Sequence, residues 1–84
     1  MAYNNRGVVS FLEERYDKAC EDFTKATELN KSNSEAYINR AYVYLKTGKN
    51  TLAVSDLKSG CDLGNKVGCT ALKELLGGAL PYVQ

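Results

Sequence analysis

The feature that most constrains this chain is an internal repeat of 34 residues. When the sequence is shifted by 34 positions, residues 2–33 align with residues 36–67 and are identical at eight of 32 positions. The residues that recur are Ala2, Tyr3, Asn5, Arg6, Val9, Ala19, Asp22 and Leu29. A period of about 20 to 50 residues is typical of stacked supersecondary units that share one continuous core. The sequence therefore predicts two copies of one structural unit.

Apolar and small residues recur with helical spacing in both units and again after them. The stripes that they form cover residues 3–11, 16–27, 37–45, 52–60 and 67–76. Polar residues separate the stripes, as expected of turns. We therefore predict an all-α fold with five helices, in which two antiparallel pairs are followed by a terminal helix.

The segments between the stripes carry residues that end or cap helices. Gly48 lies between two stripes, where the left-handed backbone of a helix C-cap favours glycine. Asn33 or Ser34 can cap the third helix, and Gly77-Gly78 ends the fifth stripe. The predicted organisation is a first repeat at residues 1–33, a second at residues 34–67, and a capping helix with a tail at residues 68–84, all in one structural domain.

Composition argues against several classes of function. The 84 residues include 11 Lys plus Arg and 10 Asp plus Glu, and a net charge of +1 does not favour binding to nucleic acid or to an anionic membrane. The absence of histidine removes the commonest general base and the commonest metal ligand. No apolar run approaches the ~20 residues that span a bilayer, and residues 1–10 lack a signal-peptide pattern. We expect no enzymatic activity, no metal or other cofactor, and no nucleic-acid or membrane partner. The compartment stays open, with the cytoplasm slightly favoured.

The repeat resembles the tetratricopeptide repeat (TPR) family, whose unit has 34 residues and two helices. The large and small residues of the family pattern fall in the first unit at Tyr3, Gly7, Ala19, Phe23 and Ala26, and in the second at Tyr37, Ala41, Ala53, Leu57 and Gly60. Two departures are Arg6 and Arg40, which stand where the family has an apolar residue. The resemblance covers most of residues 2–64 and implies an α-solenoid of two antiparallel helix pairs with a C-terminal capping helix.

The resemblance also implies that the first helix of each repeat lines a concave groove that holds a peptide. The groove positions are Asn4, Asn5, Val8, Phe11 and Leu12 in the first repeat, Ile38, Asn39, Tyr42, Leu45 and Lys46 in the second, and Leu72, Lys73 and Leu76 in the terminal helix. Asparagine side chains can both donate to and accept from an extended backbone. The alternative for Phe11 and Leu12 is that they pack against a neighbouring helix outside this chain.

Two cysteines, Cys61 and Cys69, flank the short Gly-Asn turn before the terminal helix. A turn that folds one helix back on the other can bring the two thiols within disulfide reach. The segment resembles the cysteine-rich, Sel-like relatives of TPR proteins, where cysteines at this spacing join adjacent helices. Two alternatives stay open: a disulfide in an oxidising compartment, or reduced thiols that pack as small apolar groups. Cys20 is left over in either case.

The remaining charged residues of the first repeat indicate a solvated helix face, because acidic and basic residues mostly alternate. The acidic members are Glu13, Glu14, Asp17, Glu21, Asp22 and Glu28. The function that we expect is a protein interaction module that binds a peptide or protein segment. The alternative is a structural fragment that self-associates through its exposed repeat ends and so forms a homo-oligomer.

Overall fold

The computed structural model describes residues 2–77 and has five α-helices, with no strand in that range. The helices are α1 (Tyr3–Leu12), α2 (Tyr16–Leu29), α3 (Ser34–Lys46), α4 (Asn50–Asp62) and α5 (Lys66–Gly77). The prediction of an all-α chain with two helix pairs and a terminal helix is confirmed. Within the described residues, no helix is both long and apolar enough to cross a membrane.

Each helix packs against the helices that precede and follow it in the chain. In addition, α1 contacts α3, and α3 contacts α5. The three odd-numbered helices therefore lie side by side, and the described residues form an elongated body of 44 × 25 × 16 Å. This arrangement is the solenoid that the repeat predicts. Helix α5 takes the position that the first helix of a third repeat would have.

The core of the first repeat lies where α2 meets α1 and α3. Phe23, Ala19 and Val43 are each no more than 2% exposed and pack together. Gly7 makes room for the ring of Phe23, because a Cβ atom at this position would lie 2.6 Å from Phe23 Cε1. The expectation that a small residue here allows close approach of α1 and α2 is confirmed.

The core of the second repeat is built around Ile38 and Leu57, which are 3% and 0% exposed. Two glycines bring α4 and α5 close to Ile38. A Cβ atom at Gly60 would lie 2.7 Å from Ile38 Cγ1, and one at Gly68 would lie 3.1 Å from Ile38 Cδ1. The prediction that Ile38 lines the groove is therefore wrong, since α4 and α5 enclose its side chain in the core.

The turns explain where the helices begin and end. Gly48 has a left-handed φ of +80°, as predicted for a helix C-cap. Asn33 caps α3 by accepting a hydrogen bond of 3.1 Å from the Ala36 amide, which decides between the two capping candidates. Helix α5 begins at Lys66, so the predicted boundary at residue 68 falls inside its first turn. The predicted stop at Gly78 and the tail that follows lie outside the described residues.

Candidate functional site

A small crevice opens between α1 and α3, on the side where the groove was predicted. Its volume is about 80 Å³, and its walls are Val8, Phe11, Phe23, Asn39 and Tyr42. Four of these five residues are predicted groove positions, and the fifth, Phe23, is the buried ring of α2. Val8 is 36% exposed and Tyr42 is 37% exposed, so both side chains remain accessible at the mouth of the crevice.

A chain of side-chain hydrogen bonds crosses from α3 to α1 beside the crevice. Asn39 Nδ2 donates to Asn4 Oδ1 at 3.1 Å, and Asn4 Nδ2 donates to Glu35 Oε1 at 2.8 Å. These bonds hold the amide of Asn39 in one orientation. A primary amide has two N–H donors and one carbonyl acceptor, so Asn39 retains hydrogen-bonding capacity for a ligand backbone.

The other predicted groove positions lie outside the crevice. Asn5 on α1 and Lys46 at the end of α3 are exposed, and Leu12 is 74% exposed. Leu45 is partly buried against the core of the second repeat. Phe11 does line the crevice, but it also packs edge-on against Tyr16 with ring centroids 5.6 Å apart, so part of its apolar surface is covered within this chain.

On α5, the three predicted positions have different surroundings. Leu72 packs against the core of the second repeat. Lys73 and Leu76 are exposed. The terminal helix therefore adds accessible surface next to α3, but the crevice itself belongs to α1, α2 and α3.

Two ion pairs with buried carboxylates, one in each repeat, were missed by the sequence reasoning. Arg6 Nη2 donates to Asp22 Oδ1 at 2.7 Å, and Arg40 donates to both carboxylate oxygens of Asp56 at 2.7 and 2.8 Å. Asp22 is 1% exposed and Asp56 is 5% exposed. The prediction that Asp22 belongs to a solvated face is wrong, because α1 covers it with an arginine.

A signal for these pairs was present in the sequence. Arginine recurs at Arg6 and Arg40, aspartate recurs at Asp22 and Asp56, and both pairs are 16 residues apart. A repeated arginine at a position where the family has an apolar residue, combined with a repeated aspartate, indicates a repeated contact. Charge alternation within one helix does not carry this information.

Aromatic rings complete the surroundings of both arginines. The guanidinium carbon of Arg6 lies 5.2 Å from the ring centroid of Tyr3, and that of Arg40 lies 5.8 Å from those of Tyr37 and Tyr44. These distances are typical of cation–π contacts. The hydrogen bonds to Asp56 raise the pKa of the Arg40 guanidinium, and burial raises the pKa of the Tyr44 phenol. The two arginines therefore replace apolar residues without leaving a buried charge unpaired.

A wider cleft of about 330 Å³ lies along α2 and the end of α3, and it was not predicted. Tyr16, Cys20, Val43 and Tyr44 contribute to its walls, together with acidic and basic residues. Cys20 is a free thiol here, partly buried. Among residues 2–77, no three cysteine or carboxylate side chains are grouped so that they could hold a metal ion.

The structure joins Cys61 to Cys69 by a disulfide, with Cα atoms 4.5 Å apart. The bond links α4 to α5 directly beside Gly68, whose Cβ position would lie 3.0 Å from the Cys61 amide nitrogen. The disulfide and the glycine together hold α5 against the second repeat. Because α5 covers Ile38, this contact also helps to enclose the core.

We expect peptide mapping under non-reducing conditions to find Cys61 linked to Cys69 and Cys20 free. Replacement of both Cys61 and Cys69 by serine should lower the free energy of unfolding by about 2–3 kcal/mol, as loop-closure entropy predicts for a loop of this size. Urea denaturation measures the difference. The matched control is Cys20→Ser, which retains the disulfide and should therefore keep both the stability of the unchanged chain and its sensitivity to reductant, whereas the double serine variant should not respond to reductant. A Cys20 linkage within one chain would contradict the observed packing of α2.

Two protein-family models match the repeat region of this chain. A family model described as TPR repeat matches residues 7–48, and one described as tetratricopeptide repeat matches residues 34–63. Neither match spans both Cys61 and Cys69, so the resemblance of that segment to Sel-like repeats stays a prediction.

Curated relatives match part of this chain. A TPR repeat-containing thioredoxin TDX from Oryza sativa subsp. japonica is 38% identical over 62% of this chain. Sperm-associated antigen 1 is 40% identical over 69% of the chain in Mus musculus and over 68% in Rattus norvegicus. The chain spans 16% of the rice protein and 6% of each rodent protein. No solved structure matches the chain.

Proposed function

This chain belongs to the tetratricopeptide repeat family, and we propose that it is a non-enzymatic module that binds an extended peptide or protein segment in the crevice between α1 and α3. TPR repeats indicate a protein–protein interaction module. The observation that carries the proposal is that Val8, Phe11 and Tyr42 surround one accessible apolar crevice beside the oriented amide of Asn39.

The size of the crevice limits what enters it. A volume of about 80 Å³ is what roughly three water molecules occupy in the liquid. A space of this size suits one aliphatic side chain of a ligand. Burial of such a side chain contributes about 1.5–3 kcal/mol. The Asn39 amide stands at the edge, where it can pair with the ligand backbone on either side of the buried residue. The expected ligand is therefore an extended segment with an aliphatic anchor.

The proposal is tested by selecting ligands from a phage-displayed library of random 12-residue peptides and titrating the best peptide by calorimetry. Asn39→Ala should weaken binding by about 1–3 kcal/mol, because the partner of a lost hydrogen bond is left without compensation. Tyr42→Ala should weaken binding similarly, because it removes one wall of the crevice. Circular dichroism should show unchanged helicity for both variants.

Each variant has a control of the same type on α4. Asn50→Ala and Leu52→Ala change exposed residues that do not line the crevice, and neither should alter the affinity. If Asn50→Ala weakened binding as much as Asn39→Ala, the ligand would lie on the other side of the solenoid. If selection returned no peptide that binds the chain, the proposal would fail.

The competing hypothesis is self-association through the repeat ends. It has some support in exposed apolar side chains such as Leu12 and Val67, which are 74% and 57% exposed. Size-exclusion chromatography with light scattering distinguishes the two. A self-associating chain has a mass that rises with concentration above 9.2 kDa, whereas a peptide-binding module keeps its mass until ligand is added.

A further inference from the structure

The chain of hydrogen bonds beside the crevice ends at a carboxylate, which has only one hydrogen-bonding role. Glu35 lies in the first turn of α3, and at neutral pH an ionised glutamate can accept hydrogen bonds but cannot donate them. Its Oε1 accepts from Asn4 Nδ2 at 2.8 Å. The Asn4 amide therefore has to turn its nitrogen toward Glu35, and Glu35 decides which way round this amide lies.

The orientation of Asn4 determines that of Asn39. Because Nδ2 of Asn4 is turned toward Glu35, its Oδ1 is the atom that remains for α3. That oxygen accepts from Asn39 Nδ2 at 3.1 Å. Asn39 therefore has to turn its nitrogen toward Asn4, and its own carbonyl oxygen points away from this contact. The three side chains share one order of donors and acceptors, which starts at the carboxylate.

The carbonyl oxygen of Asn39 is an open acceptor. Among residues 2–77, nothing donates a hydrogen bond to it, since the only hydrogen bond of this side chain is the one that Nδ2 donates. In the same part of the chain, no buried side-chain oxygen or nitrogen lacks a partner. This oxygen is therefore accessible rather than buried. Because Asn39 lines the crevice, the oxygen is available to a backbone N–H of a ligand there.

The first repeat shows that the position in the repeat does not by itself orient an asparagine. Asn5 corresponds to Asn39 in the 34-residue repeat, and its side chain is exposed. Within the part of the chain that the structure describes, the Asn5 side chain forms no hydrogen bond. The fixed orientation of Asn39 is thus a consequence of its two neighbours, Asn4 and Glu35.

We propose that Glu35 is a positioning residue for the crevice, and that through Asn4 it holds Asn39 Oδ1 ready to accept a hydrogen bond from a backbone N–H of the ligand. This inference rests on the proposed function, because it concerns the same ligand. The ligand residue opposite Asn39 then needs a backbone N–H, which proline lacks. The ligand is therefore an extended segment with an aliphatic anchor and no proline opposite Asn39.

The first test needs no ligand and uses the intact ¹⁵N-labelled chain with the substitution Glu35→Lys. Lysine has only donors, so Asn4 should turn its Oδ1 to the introduced side chain and its Nδ2 to Asn39, which then accepts through Oδ1. In the unchanged chain, one side-chain amide proton of Asn39 should exchange at least about threefold more slowly than those of Asn5. Glu35→Lys should abolish this difference.

A second substitution should restore the original order. In the double variant Asn4→Asp with Glu35→Lys, the introduced aspartate accepts both from the introduced lysine and from Asn39 Nδ2, so the slow exchange should return. The matched control is Asp17→Lys, which makes the same change of charge in the first turn of α2 at an exposed residue outside the crevice. This control should leave the exchange of the Asn39 amide unchanged.

The second test measures the ligand contact with the peptide selected from the library. Each backbone amide of that peptide is replaced in turn by an ester, which removes one N–H donor. At one position the ester should weaken binding to the unchanged chain about fivefold, the usual effect of one hydrogen bond, and should have no effect on binding to Asn39→Ala. The effect of this ester should also disappear in Glu35→Lys and return in the double variant with Asn4→Asp.

The outcomes distinguish this inference from the proposed function. The inference is overturned if Glu35→Lys keeps both the slow exchange and the effect of the ester, or if the double variant restores neither. It also fails, while the proposed function stands, if peptides bind in the crevice but no ester position depends on Asn39. If no peptide binds, the proposed function fails and this inference fails with it.

Discussion

Asp56→Ala should lower the free energy of unfolding by about 3–5 kcal/mol, the usual cost of removing one partner from a buried ion pair. The carboxylate is 5% exposed, and it receives two hydrogen bonds from Arg40, whose side chain is 16% exposed. Without Asp56, the guanidinium stays buried between Tyr37 and Tyr44 with no anion. Urea denaturation followed by circular dichroism should show a lower midpoint with little change in slope. A loss of this size is a large share of the total stability of a small domain.

The first repeat supplies the matched comparison. Asp22→Ala removes the corresponding carboxylate, but the Arg6 side chain is 40% exposed and can regain hydration. The loss of stability should therefore be smaller than for Asp56→Ala. Equal losses at the two positions would mean that burial of the arginine does not determine the cost.

A double variant distinguishes the contribution of charge pairing to the free energy of unfolding from that of side-chain packing. Arg40→Met with Asp56→Leu replaces the ion pair by apolar side chains and should recover most of the stability that Asp56→Ala loses. Buried ion pairs are often no more stabilising than well-packed apolar residues, because both charges must leave water. If the double variant were as unstable as Asp56→Ala, the guanidinium and the rings around it would contribute more than the pairing of charges.

Phe23→Ala should also lower the free energy of unfolding by about 3–5 kcal/mol, the range observed when a buried phenylalanine is truncated. The ring is 1% exposed and packs with Ala19 and Val43. Gly7 cannot fill the resulting cavity, because it has no side chain. Thermal and urea denaturation measure the effect. The matched control is Phe11→Ala, where the ring is only partly buried and the loss should be smaller.

A second substitution tests whether the contact between Gly7 and the ring causes this cost. Gly7→Ala should be poorly tolerated in the unchanged chain, because the added methyl group would lie 2.6 Å from Phe23 Cε1. In the Phe23→Ala background, the same substitution should increase stability, since the methyl group enters the cavity and alanine favours a helix over glycine. Additive effects of the two substitutions would contradict direct coupling.

Much of the fold could be predicted because it depends on residue order along single helices. The 34-residue repeat and the helical stripes predicted five helices and their pairing, and Gly48 and Asn33 marked two of the turns. The resemblance to the TPR family placed Val8, Phe11, Asn39 and Tyr42 in the groove, and these four side chains line one crevice. Periodicity reports only which face of a helix a residue occupies, and ligand binding by these four residues stays a prediction.

The residues that could not be assigned from sequence are those whose surroundings depend on a second or third helix. The resemblance to the TPR family placed Ile38 in the groove, yet α4 and α5 approach through Gly60 and Gly68 and enclose it. Asp22 stands among alternating charges, yet Arg6 reaches it from α1 and lies over it.

The same reason explains why Val9 and Val43 differ. Both valines occupy the same place in the repeat, and the sequence by itself determined that the two positions are equivalent. Only the tertiary structure decided that one is core and the other is surface, because α2 packs over Val43 and no helix among residues 2–77 covers Val9 in that way. Burial is a property of the contact between helices, and a pattern within one helix describes only half of that contact.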